Sequence, residues 1–188
     1  MFIEGQPMAL FYGMPTDGLV PEGEMGLPYS ETDTSYRGEG AVNYVDVNND
    51  GYITELDRVI IGDPNPDIYG NIALNMHIGK NWTVSTNFNY SLGNDIYNYQ
   101  RALLESGSKF MNQTTAVNRR WIAEGQQTDI PKSVYGDPMG NGRFSDRWIE
   151  DGSYLKLKNV AVSYKIPVQN EYIQGITVWA AANNLLTL

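Results

Sequence analysis

Ile68-Tyr69-Gly70-Asn71-Ile72-Ala73-Leu74-Asn75-Met76-His77-Ile78-Gly79-Lys80-Asn81-Trp82-Thr83-Val84-Ser85-Thr86-Asn87-Phe88-Asn89-Tyr90-Ser91-Leu92 sets two classes of residue in turn. Up to Gly79, Ile68, Ile72, Leu74, Met76 and Ile78 share one parity, while Tyr69, Asn71, Ala73, Asn75 and His77 take the other. After Gly79-Lys80-Asn81 the pattern resumes. Trp82, Val84, Thr86, Phe88, Tyr90 and Leu92 alternate with Thr83, Ser85, Asn87, Asn89 and Ser91. Successive strand side chains point to opposite faces, so this period predicts two strands joined by a tight Gly/Asn turn. Each is close to the roughly 9–11 residues that a tilted membrane strand needs. The second face is Asn, Ser and Thr rather than Lys and Glu, which suits a wet pore interior, and Trp82 and Tyr90 match interfacial aromatic girdles. A half-exposed soluble hairpin would alternate in the same way, so the decision passes to the flanking sequence.

A second hairpin is expected from Tyr154 to Ile166, with a short break at Pro167-Val168-Gln169-Asn170 and a strand from Ile173 onward. Val160, Val162, Tyr164 and Ile166 share a face opposite Ala161, Ser163 and Lys165, yet Leu155 and Leu157 fall on the other parity. Either a bulge near Asn159 resets the phase, or the upper strand projects beyond the bilayer. Ile176, Val178, Ala180 and Ala182 share a face in the last strand, and Gln6 to Gly13 could end a fifth. Between these segments run long polar stretches, 14–67 and 93–153, whereas the turns near 79–81 and 167–172 are short. Long structureless loops are uncommon in compact soluble domains. Outer-membrane barrels have them by rule on the extracellular side, with short turns on the periplasmic side. The expected fold is therefore all-β: a fragment of a transmembrane antiparallel β-barrel of about four to five strands, spanning 1–188, with long extracellular loops. Within the second loop, Ala102–Glu105 and Ala116–Ile122 read as short helices.

Composition narrows the function. The 188 residues carry 13 Lys and Arg against 22 Asp and Glu, a net charge of −9, which argues against a nucleic-acid partner. There is no cysteine and a single histidine, which excludes disulfides, thiolate metal sites and most zinc chemistry. No apolar run reaches the ~18 residues of a membrane helix. Met1-Phe2-Ile3-Glu4-Gly5-Gln6-Pro7 is not a signal peptide, and both ends are expected to be cuts.

One loop carries a metal-ligand pattern. Asp46-Val47-Asn48-Asn49-Asp50-Gly51-Tyr52-Ile53-Thr54-Glu55-Leu56-Asp57 offers side-chain oxygens from Asp46, Asn48, Asp50, Thr54 and Asp57 at EF-hand-type positions, with the Tyr52 carbonyl between them. Gly51 sits where the chain must turn, and Ile53 anchors the loop. Asp57 stands where Glu is usual, and a strand, Ala41 to Val45, precedes the loop instead of a helix. The expectation is a structural Ca²⁺ rather than a switch; the bland alternative is an Asn-Asp-Gly turn with solvated carboxylates. His77 lies on a polar strand row, where a pore-lining or interface role outweighs a catalytic one. Trp121 and Trp148, beside Arg120 and Arg147, could stack on a sugar or peptide, though such pairs more often pack a loop. Asp146, Glu150 and Asp151 are read as solvated loop charges. No catalytic set emerges, so the chain is not read as an enzyme.

Several blocks resemble a known family. Asp46–Gly51, Asp57–Asp67, Gly93–Asn98, Ser145–Val160, Asn183-Asn184-Leu185 and Gly5-Gln6-Pro7 followed by Phe11-Tyr12-Gly13 look like the C-terminal half of SusC/RagA-type TonB-linked outer-membrane proteins, in the same order. The resemblance implies a barrel of about 22 strands plugged by an N-terminal domain. It also implies import of glycan or peptide fragments driven by the TonB–ExbB–ExbD complex through the plug, a SusD-like lipoprotein as lid, and outer-membrane lipid as surroundings. The plug and most strands are missing from this stretch. The competing reading is a secreted, calcium-stiffened β-rich binding or adhesion module. What the apolar parity faces, lipid or a second sheet, separates the two.

Overall fold

The structure, a computed structural model, describes residues 4–33, 35, 37–168, 170–173 and 175–188. In chain order the strands are β1 (Phe11–Gly13), β2 (Thr16–Leu19), β3 (Val42–Tyr44), β4 (Val59–Gly62), β5 (Ile68–Ile78), β6 (Trp82–Leu92), β7 (Asp95–Tyr97), β8 (Ile149–Asp151), β9 (Tyr154–Ile166) and β10 (Ile176–Thr187). One α-helix among the described residues, α1 (Tyr99–Glu105), follows β7. The chain divides into two compact units: 1–64 with 95–150, and 65–94 with 151–188.

The second unit is a four-stranded antiparallel sheet in the order β10-β9-β6-β5. Its strands are 11, 11, 13 and 12 residues long in chain order, long enough to cross a bilayer at a tilt. Ile78 pairs with Trp82 across a three-residue turn whose first residue, Gly79, has φ +64°, a value that costs glycine nothing. The register stacks the parities across all four strands. Leu74, Thr86, Val160 and Ala182 form one row, and Met76, Val84, Val162 and Ala180 the next. Behind them, Asn75, Ser85 and Ala161 line the opposite face.

A bulge keeps the apolar face continuous. Asn87 pairs with Asn159 but Phe88 pairs with Leu157, which leaves Lys158 as the extra residue. Leu157 and Leu155 thereby rejoin the face of Val160 and Val162, opposite Phe88 and Tyr90. The phase break in the sequence is thus a bulge, one residue before Asn159, and not a projecting upper strand. β10 answers with its own irregularity between Asn183 and Leu186, where Asn184 has φ +54°.

No apolar side chain of this sheet is buried. Ile72 and Leu74 remain 49% and 48% exposed, and Val178 57%. Among the described residues of the four strands only Ser91 is buried. The apolar rows are not the inside of a sandwich, as a secreted β-rich module would need. The sheet has four strands, within the four to five expected. Of Gln6 to Gly13, the candidate end of a fifth strand, only Phe11–Gly13 is a strand, and it pairs with β4 in the other unit; the last strand begins at Ile176 rather than Ile173.

The first unit adds short strands to the expected loops and short helices, and its β3 lies inside the expected strand Ala41 to Val45. Residues 14–67 and 93–153 contain β2, β3, β4, β7 and β8, and β2 pairs with β3 and β7 with β8. Met14, Val42, Tyr44 and Ile53 form one buried cluster, and Val20, Ala41 and Met139 another. Partners distant in sequence hold it together. Asn141 Oδ1 accepts the N–H of Val42 at 2.8 Å, and the Tyr44 hydroxyl donates to the carbonyl of Gly140 at 2.7 Å. Of the two expected helices, Ala102–Glu105 lies in α1, capped by the Asn98 side chain accepting from the N–H of Arg101. The other is a 3₁₀ turn, Thr115–Arg119, that stops short of Trp121 and Ile122.

Candidate functional site

Three places can do chemistry or binding: the polar face of the sheet, the loop 46–57, and the surface of the first unit around α1.

On the polar face the sheet builds rows of amides. Asn71 donates to the side chains of Asn87 and Asn89, and Asn159 donates to Asn183 at 2.8 Å. Asparagine has both a donor and an acceptor, so such rows satisfy one another and still offer groups to water or a solute. His77 sits on this face with its Nδ1 3.0 Å from the Thr83 hydroxyl, a structural contact near the tight turn. At the same end of the opposite face, Trp82 and Tyr164 lie 4.5 Å apart between ring centroids, where an aromatic girdle belongs.

The loop 46–57 follows β3, as the sequence implies. Asp46 accepts the N–H groups of Asp50 and Gly51, Asn48 Oδ1 accepts that of Asp50, and Asp50 accepts that of Tyr52. These bonds draw Asp46, Asn48 and Asp50 around one turn. Asp57 behaves differently. It is fully buried, with Oδ1 accepting from Val47 N–H (3.0 Å) and Oδ2 from Thr54 N–H (2.6 Å). Burial pulls its pKa up, but the N–H groups of Thr54, Val47 and Asn48 outweigh that and hold it below the ordinary carboxylate value. Thr54 caps the short 3₁₀ turn Glu55–Asp57 through a reciprocal capping box. Among the described residues no group of three or more His, Asp or Glu side chains is arranged to hold a metal ion.

Around α1, the charges read as solvated are largely engaged. Asp146 accepts the backbone N–H of Thr16 at 3.0 Å. Glu150 takes the Asn98 amide and the Arg101 guanidinium, each at 2.9 Å, and these contacts lower its pKa. Asp151 accepts the N–H of Ser153. The three carboxylates serve separate hydrogen bonds and form no acid–base pair. Trp148 is buried, its indole N–H on the Arg143 carbonyl at 3.1 Å, with the Arg101 and Arg147 guanidinium carbons 5.8 and 5.0 Å from the ring. It packs the loop and is closed to a sugar. Trp121 faces Lys132 (5.3 Å).

Two features escape sequence reasoning. The Tyr29 ring is flanked by the guanidinium carbons of Arg37 (3.4 Å) and Arg143 (3.5 Å), and its hydroxyl donates to the Met139 carbonyl. Burial raises the pKa of Tyr29 above the ordinary phenol value. Nothing in the spacing 29, 37, 143 announces this. The other is a cleft of about 590 Å³ beside α1, lined in part by Tyr97, Tyr99, Leu103, Lys109, Tyr135 and Asp137. At its rim Phe110 and Tyr135 stack at 4.7 Å and stay highly exposed.

No family model matches the chain. Over 98% of its length it is 30% identical to TonB-dependent receptor P3 of Formosa agariphila, and over 78% it is 31% identical to TonB-dependent receptor P26 of the same organism. It spans 18% and 15% of those two proteins. Among solved structures, the RagAB peptide transporter matches 95% of the chain with a TM-score of 0.65 at 25% identity. The RagAB peptide importer in its closed-closed state matches with a TM-score of 0.67 at 22% identity, and in both the chain spans 19% of the solved chain. The chain thus covers about a fifth of the length of the relatives it resembles.

Proposed function

The chain is a SusC/RagA-like segment of a TonB-dependent receptor, and from that premise we propose that it forms part of the wall and outer face of an outer-membrane importer. In this reading β5, β6, β9 and β10 cross the bilayer. Their apolar rows meet lipid, and their Asn, Ser and Thr rows meet the watery lumen. The first unit stands outside the membrane, where it helps shape a funnel for glycan or peptide fragments and meets a SusD-like lipoprotein lid. Energy reaches the transporter from TonB–ExbB–ExbD through a plug. No step here is enzymatic.

One observation carries the proposal: four strands of membrane-spanning length share an uninterrupted apolar face that nothing in their own unit covers. In the complete transporter, outer-membrane fractions run unheated and heated on a denaturing gel should give two mobilities, the folded barrel migrating faster. A protein that stays in the soluble fraction and shows one mobility overturns the reading.

A structural Ca²⁺ in the loop 46–57 belongs to the same proposal, held by Asp46, Asn48 and Asp50 with the Tyr52 carbonyl; Thr54 and Asp57, expected in the set, are taken up by the capping box and stay outside it. Support comes from the spacing and from the turn that gathers the first three. Terbium bound there should luminesce on excitation of Tyr52, and Asp46→Ala with Asp50→Ala should abolish that emission. Emission unchanged in the double variant rejects the site.

A further inference from the structure

The four membrane-length strands carry charge of one sign only. Lys156, Lys158 and Lys165 all lie on β9, and no Asp or Glu occurs in any of the four, in a chain whose net charge is −9. None of the three joins an ion pair among the described residues. Lys156 pairs with Asn89 on one side and Thr187 on the other, which puts it on the polar face. Lys158 is the bulge residue, and bulges re-aim a side chain as well as resetting register. Here the effect is to bring a second lysine beside the first. Both line one hollow of about 350 Å³, together with Asn89, Tyr154, Asn184 and Thr187. Two ammonium groups on one wall repel each other unless an anion lies between them. The remaining groups offer amide and hydroxyl donors, which suit oxyanion oxygens. Basic rings in pore walls select anions on the same principle.

We propose that this hollow, built by the β9 bulge, is an oxyanion site on the lumen wall that takes a carboxylate or sulfate group. The inference rests on the reading that the polar face lines a lumen. The group comes either from a free anionic cargo or from an acidic side chain of polypeptide filling the lumen, and the chemistry at the lysines is the same.

The test is the rate at which an acylating reagent modifies each lysine of the complete, detergent-purified transporter, read by peptide mass spectrometry, with citrate as probe and Lys165 as internal reference. If citrate at constant ionic strength slows Lys156 and Lys158 by about threefold to fivefold, the scale of an exposed charge pair, and leaves Lys165 alone, a free anion is the ligand. Lys158→Gln should then remove the protection of Lys156. If both lysines are slow before citrate is added and high NaCl releases them, the oxyanion belongs to the polypeptide. Rates equal to that of Lys165 throughout overturn the proposal. So do slow rates that neither citrate nor salt changes, and citrate protection shared equally by all three. The same sample run unheated and heated keeps the tests separate. A lost mobility shift removes the barrel reading, whereas a retained shift with unprotected lysines removes only the oxyanion site.

Discussion

Asp57 shows how one side chain can fix a loop from inside. Its carboxylate is fully buried, and four donors are spent on it: the N–H groups of Val47, Asn48 and Thr54 and the Thr54 hydroxyl. An amide side chain has one acceptor oxygen where the carboxylate has two, so Asp57→Asn strands buried N–H groups, at about 1–3 kcal/mol. Hydrogen exchange at Val47 and Thr54 should speed up by roughly tenfold to a hundredfold, since local opening reports that energy. Unchanged exchange would mean the bonds contribute nothing. The pH dependence has a definite sign. The folded pKa lies below the ordinary value of 3.8, so the unfolded loop takes up the proton first as acid is added. The stabilisation is complete above the ordinary value and disappears as pH falls through the folded one, so amide protection in this loop should fade only as pH drops below 3.8. The sequence shows these oxygens at metal-ligand spacing. It does not show that Asp57 turns inward to backbone N–H groups, because that depends on how the 3₁₀ turn closes.

At the scale of the element, β9 has to absorb one extra residue, and the bulge at Lys158 does so. A register slip of one position moves every following side chain to the other face. Deleting Lys158 would leave Leu157 next to Asn159 and keep Leu155 and Leu157 on the face of Val160 and Val162 with no bulge. The deletion, which keeps the faces, should retain the heat-dependent mobility shift, as should Lys158→Ala. A shift lost on deletion alone would show that the bulge does not set the phase. A second pair of variants reads the faces directly. Leu74→Arg puts a cation near the middle of β5 on the apolar face, at a cost of about 2–4 kcal/mol at the bilayer midplane, while Asn75→Arg puts it on the polar face. Only the first should lower the amount of assembled barrel in the outer membrane. The alternation that supports both experiments is plain in the sequence because a strand writes its faces at period two over eleven or more residues. The strands of the first unit are three or four residues long, too short for a period to register. Their partners are remote: Thr16 meets Asp146, and Val42 meets Asn141. Contacts of that range leave no local pattern, which is why these stretches, apart from Ala41 to Val45, read as loops.

For the whole molecule, the open edges of the sheet are the governing fact. β5 and β10 each pair on one side only, and the other side of each presents a row of backbone N–H and C=O groups. In hydrocarbon each such group left unmet costs several kcal/mol, and only closure of the sheet removes the cost. Four strands cannot close, and the relatives are about five times longer than this chain. In water the same piece has the opposite defect, since Ile72, Leu74, Met76, Ile78 and Val178 stay about half exposed on one continuous face. Neither solvent suits the 188 residues alone. Expressed alone and purified without detergent, the chain should elute as large aggregates in size-exclusion chromatography. In detergent it should disperse without gaining the heat-dependent mobility shift, because the edges remain open. A sharp monomer peak in plain buffer would mean that the apolar rows are covered after all, and membrane placement of the sheet would then be wrong.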